Sequence, residues 1–398
     1  MFTAKSVLAA SLPVPGDSAL AHSQRLCHRI RETIHLNHGA ISFARFMEMA
    51  LYEPGLGYYS GGAMKFGNAG DFATAPEISP LFARCLARQC RQVINELPRA
   101  SILEPGPGSG RMACDLLHEL EQLNALPERY LMLELSADLK QRQQQLVQER
   151  IPHLAGRVTW LDQLPAQGVS GIILGNEVLD AMPVHRLVKQ DGEFRELCVS
   201  STGDGFGWET AEPGRRLQEH VNTVLGDNLR NLPDDYVTEI NLQVCPWINS
   251  LSDALVRGVM LFIDYGYPRH EYYHPQRTCG TLLCHYRHHV HDDPFLYPGL
   301  QDITASVDFT AVAEAADRSG LGVLGFTTQA HFLVENGLGE VLKQYSLTRE
   351  ADRAESGRQA RILTMPGEMG ERFKVIALTK DFRIPLAGFR TFDQRSRL

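Results

Sequence analysis

The sequence predicts an α/β fold: a mostly parallel, Rossmann-like sheet with helices on both faces. Three observations carry that expectation. Short apolar strands alternate with amphipathic helices from residue 101 onward, the pattern of a parallel sheet covered on both sides. The first strand runs straight into Glu104-Pro105-Gly106-Pro107-Gly108-Ser109-Gly110. The second strand ends in another acid, Glu134.

Residues 18–37 and 42–52 read as helices, the second opened by Ser42 as N-cap, with Phe43, Phe46, Met47 and Ala50 on one face. The glycine-rich stretch 53–75 reads as a long loop that Tyr58, Tyr59, Phe66 and Phe72 argue against calling disordered. Pro76 and Glu77 open a further helix, a proline in the first turn and an acid at the positive end. Ser101-Ile102-Leu103 is a strand, 110–124 a helix through Met112, Leu116, Leu117 and Leu120, and Tyr130 to Leu133 the next strand. A helix at 136–150 and strands from Arg157 to Leu161 and Gly171 to Leu174 continue the alternation. The order then breaks into hairpin-like pieces, Val184 to Val188 and Glu193 to Val199, and a polar helix near 214–225. A helix near 241–257 leads into Val259-Met260-Leu261-Phe262-Ile263, which reads as a fully buried strand ending at Asp264-Tyr265-Gly266. A helix at 308–319, a strand at 321–326, more helix to about 363 and a strand from Phe373 to Thr379 complete the chain. The expected organisation is a flexible tail at 1–17, an N-terminal helical cap and lid loop at 18–97, a Rossmann-like core at 98–183 and 258–398, and a substrate-side insertion at 184–257.

Composition bounds the function. The chain has 398 residues, 43% hydrophobic and 22% charged, as in soluble globular enzymes. A formal net charge of -8 gives no electrostatic case for a nucleic-acid partner. The eight cysteines are scattered with no CxxC pair, which suits a reducing compartment. No apolar run approaches the ~20 residues that span a bilayer. The weakly apolar N-terminus is interrupted at Pro13 and Pro15 and does not read as a signal peptide, so the expected location is cytoplasmic.

The glycine turn is the strongest motif. A strand ending in an acid, then Gly-x-Gly-x-Gly, then a helix sets backbone N–H groups against a ligand at the sheet's carboxyl edge. The dinucleotide fingerprint needs a glycine where this chain has Arg111, so it fails. Glu104-x-Gly106-x-Gly108-x-Gly110 instead fits the turn that holds S-adenosyl-L-methionine, with the acid facing the ammonium of the methionine moiety. Glu134, about two dozen residues on, suits hydrogen bonds to both ribose hydroxyls. Alone it would read as an acid capping the following helix. The block Asn176-Glu177-Val178-Leu179-Asp180 directly after the fourth strand places two carboxylates and an amide where an apolar run has just ended. Asn176 as a helix cap and Glu177 as its dipole partner is the plainer account, and both can hold together.

Two further features are weighed. His285-Tyr286-Arg287-His288-His289-Val290-His291-Asp292-Asp293 tempts a metal reading, but no His-Glu-x-x-His spacing appears, and a polar loop bordering the cleft or a solvated loop fits better, so no metal is expected. Phe295, Tyr297 and Pro298 pack that loop down in this reading. Asp302 and Asp308 read as helix caps, the latter heading 308–319.

With Ile41-Ser42-Phe43-x-x-Phe46-Met47, Gly70-Asp71-Phe72-x-Thr74-Ala75-Pro76-Glu77, the glycine turn, Gly175-Asn176-Glu177-Val178-Leu179-Asp180-Ala181, Ile263-Asp264-Tyr265-Gly266, Asp302-Ile303-Thr304 and Val307-Asp308-Phe309, the chain resembles the MidA-like methyltransferase family, which includes a mitochondrial assembly factor for respiratory complex I. The resemblance covers nearly everything after residue 20. It implies a class I methyltransferase fold with a seven-stranded, mostly parallel sheet, an N-terminal helical extension and an α+β insertion. It implies S-adenosyl-L-methionine as cofactor, with Glu104, Gly106, Gly108, Gly110 and Glu134 as contacts, Asp71, Phe72 and Thr74 as a lid, and Asn176 and Glu177 as the catalytic edge. The mitochondrial member methylates a protein arginine on a complex I subunit. The expected partner here is therefore a protein substrate, a respiratory complex subunit among the candidates, with no nucleic acid, no membrane insertion and a homodimer allowed. The absence of an evident transit peptide suggests a bacterial member.

Methyl transfer from a sulfonium is an in-line displacement, in which positioning supplies up to about 7–11 kcal/mol. A guanidinium acceptor arrives charged, and carboxylates holding two of its N–H groups localise a lone pair on the third nitrogen. Glu177 and Asp180 are the candidates for that role. The competing readings are an assembly chaperone that binds the cofactor without turnover, and a small-molecule or RNA methyltransferase.

Overall fold

A computed structural model describes residues 12–61, 74–203, 205–226, 231–346 and 351–398. Among them the chain divides into two compact units, and the boundaries differ from those expected.

The first unit holds residues 74–179, 245–269 and 307–398. Its sheet contains strands β1 (Ser101–Pro105), β2 (Tyr130–Leu133), β3 (Val158–Leu161), β4 (Val169–Asn176), β5 (Leu255–Tyr267), β6 (Gly322–Thr328) and β7 (Phe373–Lys380). Their spatial order is β3-β2-β1-β4-β5-β7-β6, with β7 antiparallel to both β5 and β6 and the remaining pairs parallel. This is the mostly parallel seven-stranded sheet of the class I methyltransferases, extended by the two-residue strand Val307–Asp308 beside the end of β5. The chain moves outward from β1 to β3, then returns to β4 on the other side of β1, which creates a switch point at the carboxyl edge.

The middles of the central strands are apolar because both faces are covered: Val259, Met260, Leu261, Phe262 and Ile263 are all buried. Helix α1 (Pro80–Glu96) packs on α2 (Arg111–Gln122), and Leu81, Leu86 and Val93 share a core with Leu116, Leu117 and Leu120. This sharing is why residues 74–97 belong to the sheet unit rather than to a separate cap. The helix expected from Pro76 is two pieces, Ala75–Ile78 and α1, because Pro80 forces the preceding Ser79 into an extended conformation, φ -159° and ψ 138°. Ser79 then caps α1 by accepting from the Leu81 N–H. Helix α3 (Ala137–Arg150) follows β2, and α4 (Phe309–Arg318) is capped by Asp308, whose carboxylate accepts from Thr310 and Ala311 as expected. The helix expected to reach residue 257 stops at Ala254, where Leu255 pairs with Val169 and begins β5.

The second unit holds the described residues up to 61 with 180–244 and 270–306. The N-terminal helices Asp17–Leu36 and Phe43–Tyr52 and the inserted strands form one body, because Ala40–Ser42 pairs antiparallel with Cys198 to Ser200. The sheet is completed by His185–Gln190, Glu193–Thr202, Gly205–Ala211 and Val237–Ile240, all antiparallel. Phe43, Phe46, Phe206, Trp208 and Phe295 interlock at ring-centroid separations of 4.8 to 5.6 Å in this core. Residues 270–306 join this unit, not the Rossmann-like core, since Cys284 and Ile303 are buried with Phe43 and Phe46. Among the described residues no helix is long and apolar enough to cross a membrane.

The centre of the large sheet depends on two glycines. Gly171 on β4 pairs with Ser101 on β1 and with Gly258 on β5. A Cβ on Gly171 would lie 2.1 Å from the Ser101 carbonyl oxygen, and one on Gly258 would lie 1.9 Å from that of Gly171. Both have φ near +138°, where L side chains are strained. Gly258→Ala is therefore expected to lower unfolding free energy by about 3 kcal/mol or more, measured by urea denaturation. A loss under about 1 kcal/mol would mean that the strands separate easily.

Candidate active site

The site is assembled from the ends of β1, β2 and β4 in the sheet unit. Gly106, Gly108 and Gly110 take φ of +66°, +55° and +80°, so the chain turns sharply away from β1 into α2. A Cβ on Gly106 would lie 2.9 Å from Val178 Cγ1, and one on Gly110 would lie 3.1 Å from Gln143 Cγ. The cradle is one that side chains would fill.

Glu104, in β1, is only 2% exposed. Its Oε2 accepts a 2.6 Å hydrogen bond from the Tyr130 hydroxyl. Burial pushes its carboxyl up to about 7; the Tyr130 bond opposes the shift and the charge of Glu134 adds to it. A carboxylate so placed favours a cation beside it. Glu134, 8% exposed, follows β2 and accepts from the Ser136 N–H at 2.8 Å and from Gln143 Nε2 at 3.0 Å. It thus makes the local helix-capping contact considered from the sequence and also faces the turn through Gln143, which donates to the Gly108 carbonyl at 2.8 Å.

At β4 the strand ends at Asn176, and Glu177 stands in the left-handed region at φ +51°. Two anchors impose this. The Glu177 N–H donates to the Ile263 carbonyl at 2.9 Å, and the Leu179 N–H donates to Asp264 Oδ2 at 2.9 Å. Asn176 Nδ2 donates to Glu177 Oε1 at 3.0 Å. Only the amide nitrogen can face a carboxylate, so the oxygen is the atom turned away. That Oδ1 is buried and has no hydrogen-bond partner among the described residues, an acceptor awaiting a donor.

The remaining expected residues fall elsewhere. Thr74 precedes the short helix Ala75–Ile78, its carbonyl accepting from Glu77 and Ile78. Asp71 and Phe72 lie outside the described residues. Asp180 belongs to the second unit, where its carbonyl accepts from the Ala305 N–H at 3.0 Å. There it adds, with Asp302, to the field that keeps the Tyr52 and Tyr59 hydroxyls protonated, although burial is the larger cause. Asp302 is not a helix cap: it lies in the strand Asp302–Thr304 and accepts from the Tyr59 hydroxyl at 3.0 Å through both oxygens. The histidine run is no loop either. Leu283–Tyr286 and His289–His291 form a hairpin whose two turn residues, Arg287 and His288, have positive φ. Burial, with His291 adding, lowers His285 to about 4, so it is neutral at pH 7.

Sequence reasoning missed two supports. Glu77, taken only as a dipole partner, accepts from the Ser109 hydroxyl and, through its carbonyl and carboxylate, from Arg111 Nη1 at 3.1 and 3.2 Å. The arginine that breaks the dinucleotide fingerprint therefore clamps the turn. Gln143 was unremarked on a polar helix. Its one sequence signal is its place four residues after Leu139 and four before Val147, on the stripe this helix buries.

Comparisons with known proteins agree with this architecture. The family described as "Putative S-adenosyl-L-methionine-dependent methyltransferase" matches residues 85–327. The chain belongs to that family. The MidA-like resemblance is thereby confirmed, and the methyltransferase uses S-adenosyl-L-methionine. Its relatives include the protein arginine methyltransferase NDUFAF7 homolog of Drosophila melanogaster, 30% identical over 89% of this chain and 84% of the relative. The human NDUFAF7 protein arginine methyltransferase is 27% identical over 91% and 84%. A crystal structure from Burkholderia thailandensis, bound to S-adenosyl-homocysteine, is 41% identical, covers 98% of this chain and 100% of its own, and superposes with a TM-score of 0.93. One expectation is corrected: the cytoplasmic location does not hold against the curated relatives, both of which are mitochondrial proteins by name.

The strain at Glu177 is testable. Glu177→Gly should raise unfolding free energy by roughly 1 kcal/mol, as glycine tolerates positive φ, while removing methyl transfer. Thermal unfolding and a turnover assay read the two effects, and a less stable, fully active variant would contradict the assignment.

Proposed function

We propose that this methyltransferase modifies an arginine of a protein partner. The observation that carries the reading is the Asn176–Glu177 pair: a carboxylate held in a left-handed turn at the end of β4 by its neighbour's amide. When bound, S-adenosyl-L-methionine supplies an electrophilic sulfonium methyl group. Glu104 is the counter-charge for the cofactor's ammonium, the Cβ-free backbone of Gly106, Gly108 and Gly110 gives it room to approach, and Glu134 takes the ribose hydroxyls. Glu177 accepts two N–H groups of the guanidinium and holds its third nitrogen in line. Asn176 Oδ1 supplies the acceptor for a further N–H. The names of the curated relatives support arginine as the acceptor, and the family resemblance makes a respiratory complex I subunit the first protein to examine.

The test is quantitative mass spectrometry of methylated arginine in cells carrying the native chain, Glu177→Gln, or no chain. We expect the same arginine sites to lose mono- or dimethylation in the last two, with purified Glu177→Gln losing about a hundredfold or more in turnover yet binding S-adenosyl-homocysteine within a few fold of the native protein. Unchanged arginine methylation would rule the acceptor out.

The Glu104 reading makes a separate forecast. Its folded pKa of about 7 lies above the ordinary 4.5, so its contribution to stability is full below about 4.5 and lost as pH rises through about 7. A cationic ligand reverses the preference, since it favours the ionised acid. Affinity for S-adenosyl-homocysteine should therefore rise about tenfold from pH 6 to pH 8, and Glu104→Gln should flatten the profile. Calorimetry across that range checks it; a flat native profile would separate Glu104 from the ammonium.

A further inference from the structure

Gln143 lies in the middle of α3, a helix of glutamines and charges, and is fully buried. Its amide is engaged at both ends. Nε2 donates to the Gly108 carbonyl at 2.8 Å and to Glu134 Oε2 at 3.0 Å. Oε1 accepts from the Trp160 indole N–H at 3.0 Å. An indole N–H can only donate, so Trp160 settles which end of the amide is oxygen and aims the NH2 group at its two acceptors. The Ser136 N–H meets the other oxygen of Glu134 at 2.8 Å, so each carboxylate oxygen is held by one of these donors. A Cβ on Gly110 would lie 3.1 Å from Gln143 Cγ, so this side chain also crowds the turn. One residue therefore ties the glycine turn to the acid at the end of β2.

We propose that Gln143 is the positioning residue that makes this site selective for a ribose bearing its hydroxyls, by holding the Glu134 carboxylate in fixed register with the Gly108 segment. The proposal rests on the reading of Glu134 as the ribose acceptor. A site built around hydroxyl donors rejects a ligand that lacks them, because its polar groups are left unmatched. That rejection requires the carboxylate to be rigid: a mobile one turns to water or to another donor and discrimination falls. Trp160 contributes at one remove, through the orientation of the amide.

The probes are S-adenosyl-homocysteine and its 2′-deoxyribose counterpart, titrated by calorimetry into the full-length protein. The native chain should prefer the hydroxylated ligand by at least about tenfold. Gln143→Leu should bring the preference below about threefold while leaving affinity for the deoxy ligand nearly unchanged. Trp160→Phe should act in the same direction with smaller size, and it carries the test should Gln143→Leu not fold. A role limited to packing would weaken both ligands by one factor, and that result, or an undiminished preference in both variants, overturns the proposal. Glu134→Ala separates the two layers. If it leaves the preference intact, the ribose reading of Glu134 fails and the proposal with it. If it abolishes the preference while the Gln143 and Trp160 variants keep it, Glu134 stands and Gln143 is removed from the role.

Discussion

The carboxyl edge leaves room for close approach to the backbone where the chain leaves β1 with no side chain on the inside of the bend. Gly106, Gly108 and Gly110 all adopt positive φ, which costs an L residue about 1–2 kcal/mol each, so any other residues there would straighten the turn. At Gly106 the space is already taken by Val178, a residue of the turn after β4. The two loops that border the site are thus in mutual contact, and neither can be reshaped alone. The same demand for bare backbone recurs deeper in the sheet, at Gly171 and Gly258, where β1, β4 and β5 lie side by side. The geometry of the site is inherited from that close approach.

Around the turn the polar groups are buried and interdependent. Glu104 and Glu134 are both under a tenth exposed, and the charge of Glu134 adds to the rise of the Glu104 pKa. Two ionised acids so placed destabilise each other unless a cation or strong donors intervene. The donors come from Tyr130, Ser136 and Gln143, each on a different part of β2, the following turn or α3. In the proposed reading a cationic nucleoside brings Glu104 a full positive charge, which couples binding and folding through the same carboxylate.

How much of this was legible follows from what kind of signal each residue leaves. The acids Glu104 and Glu134 end apolar strands, so strand pattern and charge together expose them, and the parallel character of the sheet follows from the alternation of strand and helix. Gln143 leaves a fainter mark: it shares a stripe with Leu139 and Val147, but a glutamine there reads like its solvated neighbours Gln144 and Gln145. Glu77 reads as a first-turn acid and becomes a clamp only when Ser109 and Arg111 arrive from elsewhere in the chain. The hairpin at Arg287-His288 was missed because its turn positions, which favour asparagine and glycine, are filled by an arginine and a histidine. Asp302 looked like a cap since nothing local shows that Tyr59 will reach it. The unit boundaries failed for a similar reason: pairing of Ala40–Ser42 with a strand some 160 residues away is a long-range fact that no local pattern contains.

The left-handed turn at Glu177 shows how the two halves of that argument meet. Positive φ on a glutamate costs about 1–2 kcal/mol. Against it stand a backbone bond to the Ile263 carbonyl, with a net value of about 1 kcal/mol, and a bond from Leu179 to the Asp264 carboxylate, worth about 1.5–3 kcal/mol. The anchors exceed the strain, so the turn stays formed without help from a ligand. Both come from β5, the strand whose partnership with β4 depends on Gly258. A glycine at 177 would satisfy the backbone more cheaply and would carry no carboxylate. The carboxylate is kept at the strand end despite that cost, and its conformation is enforced from the neighbouring strand.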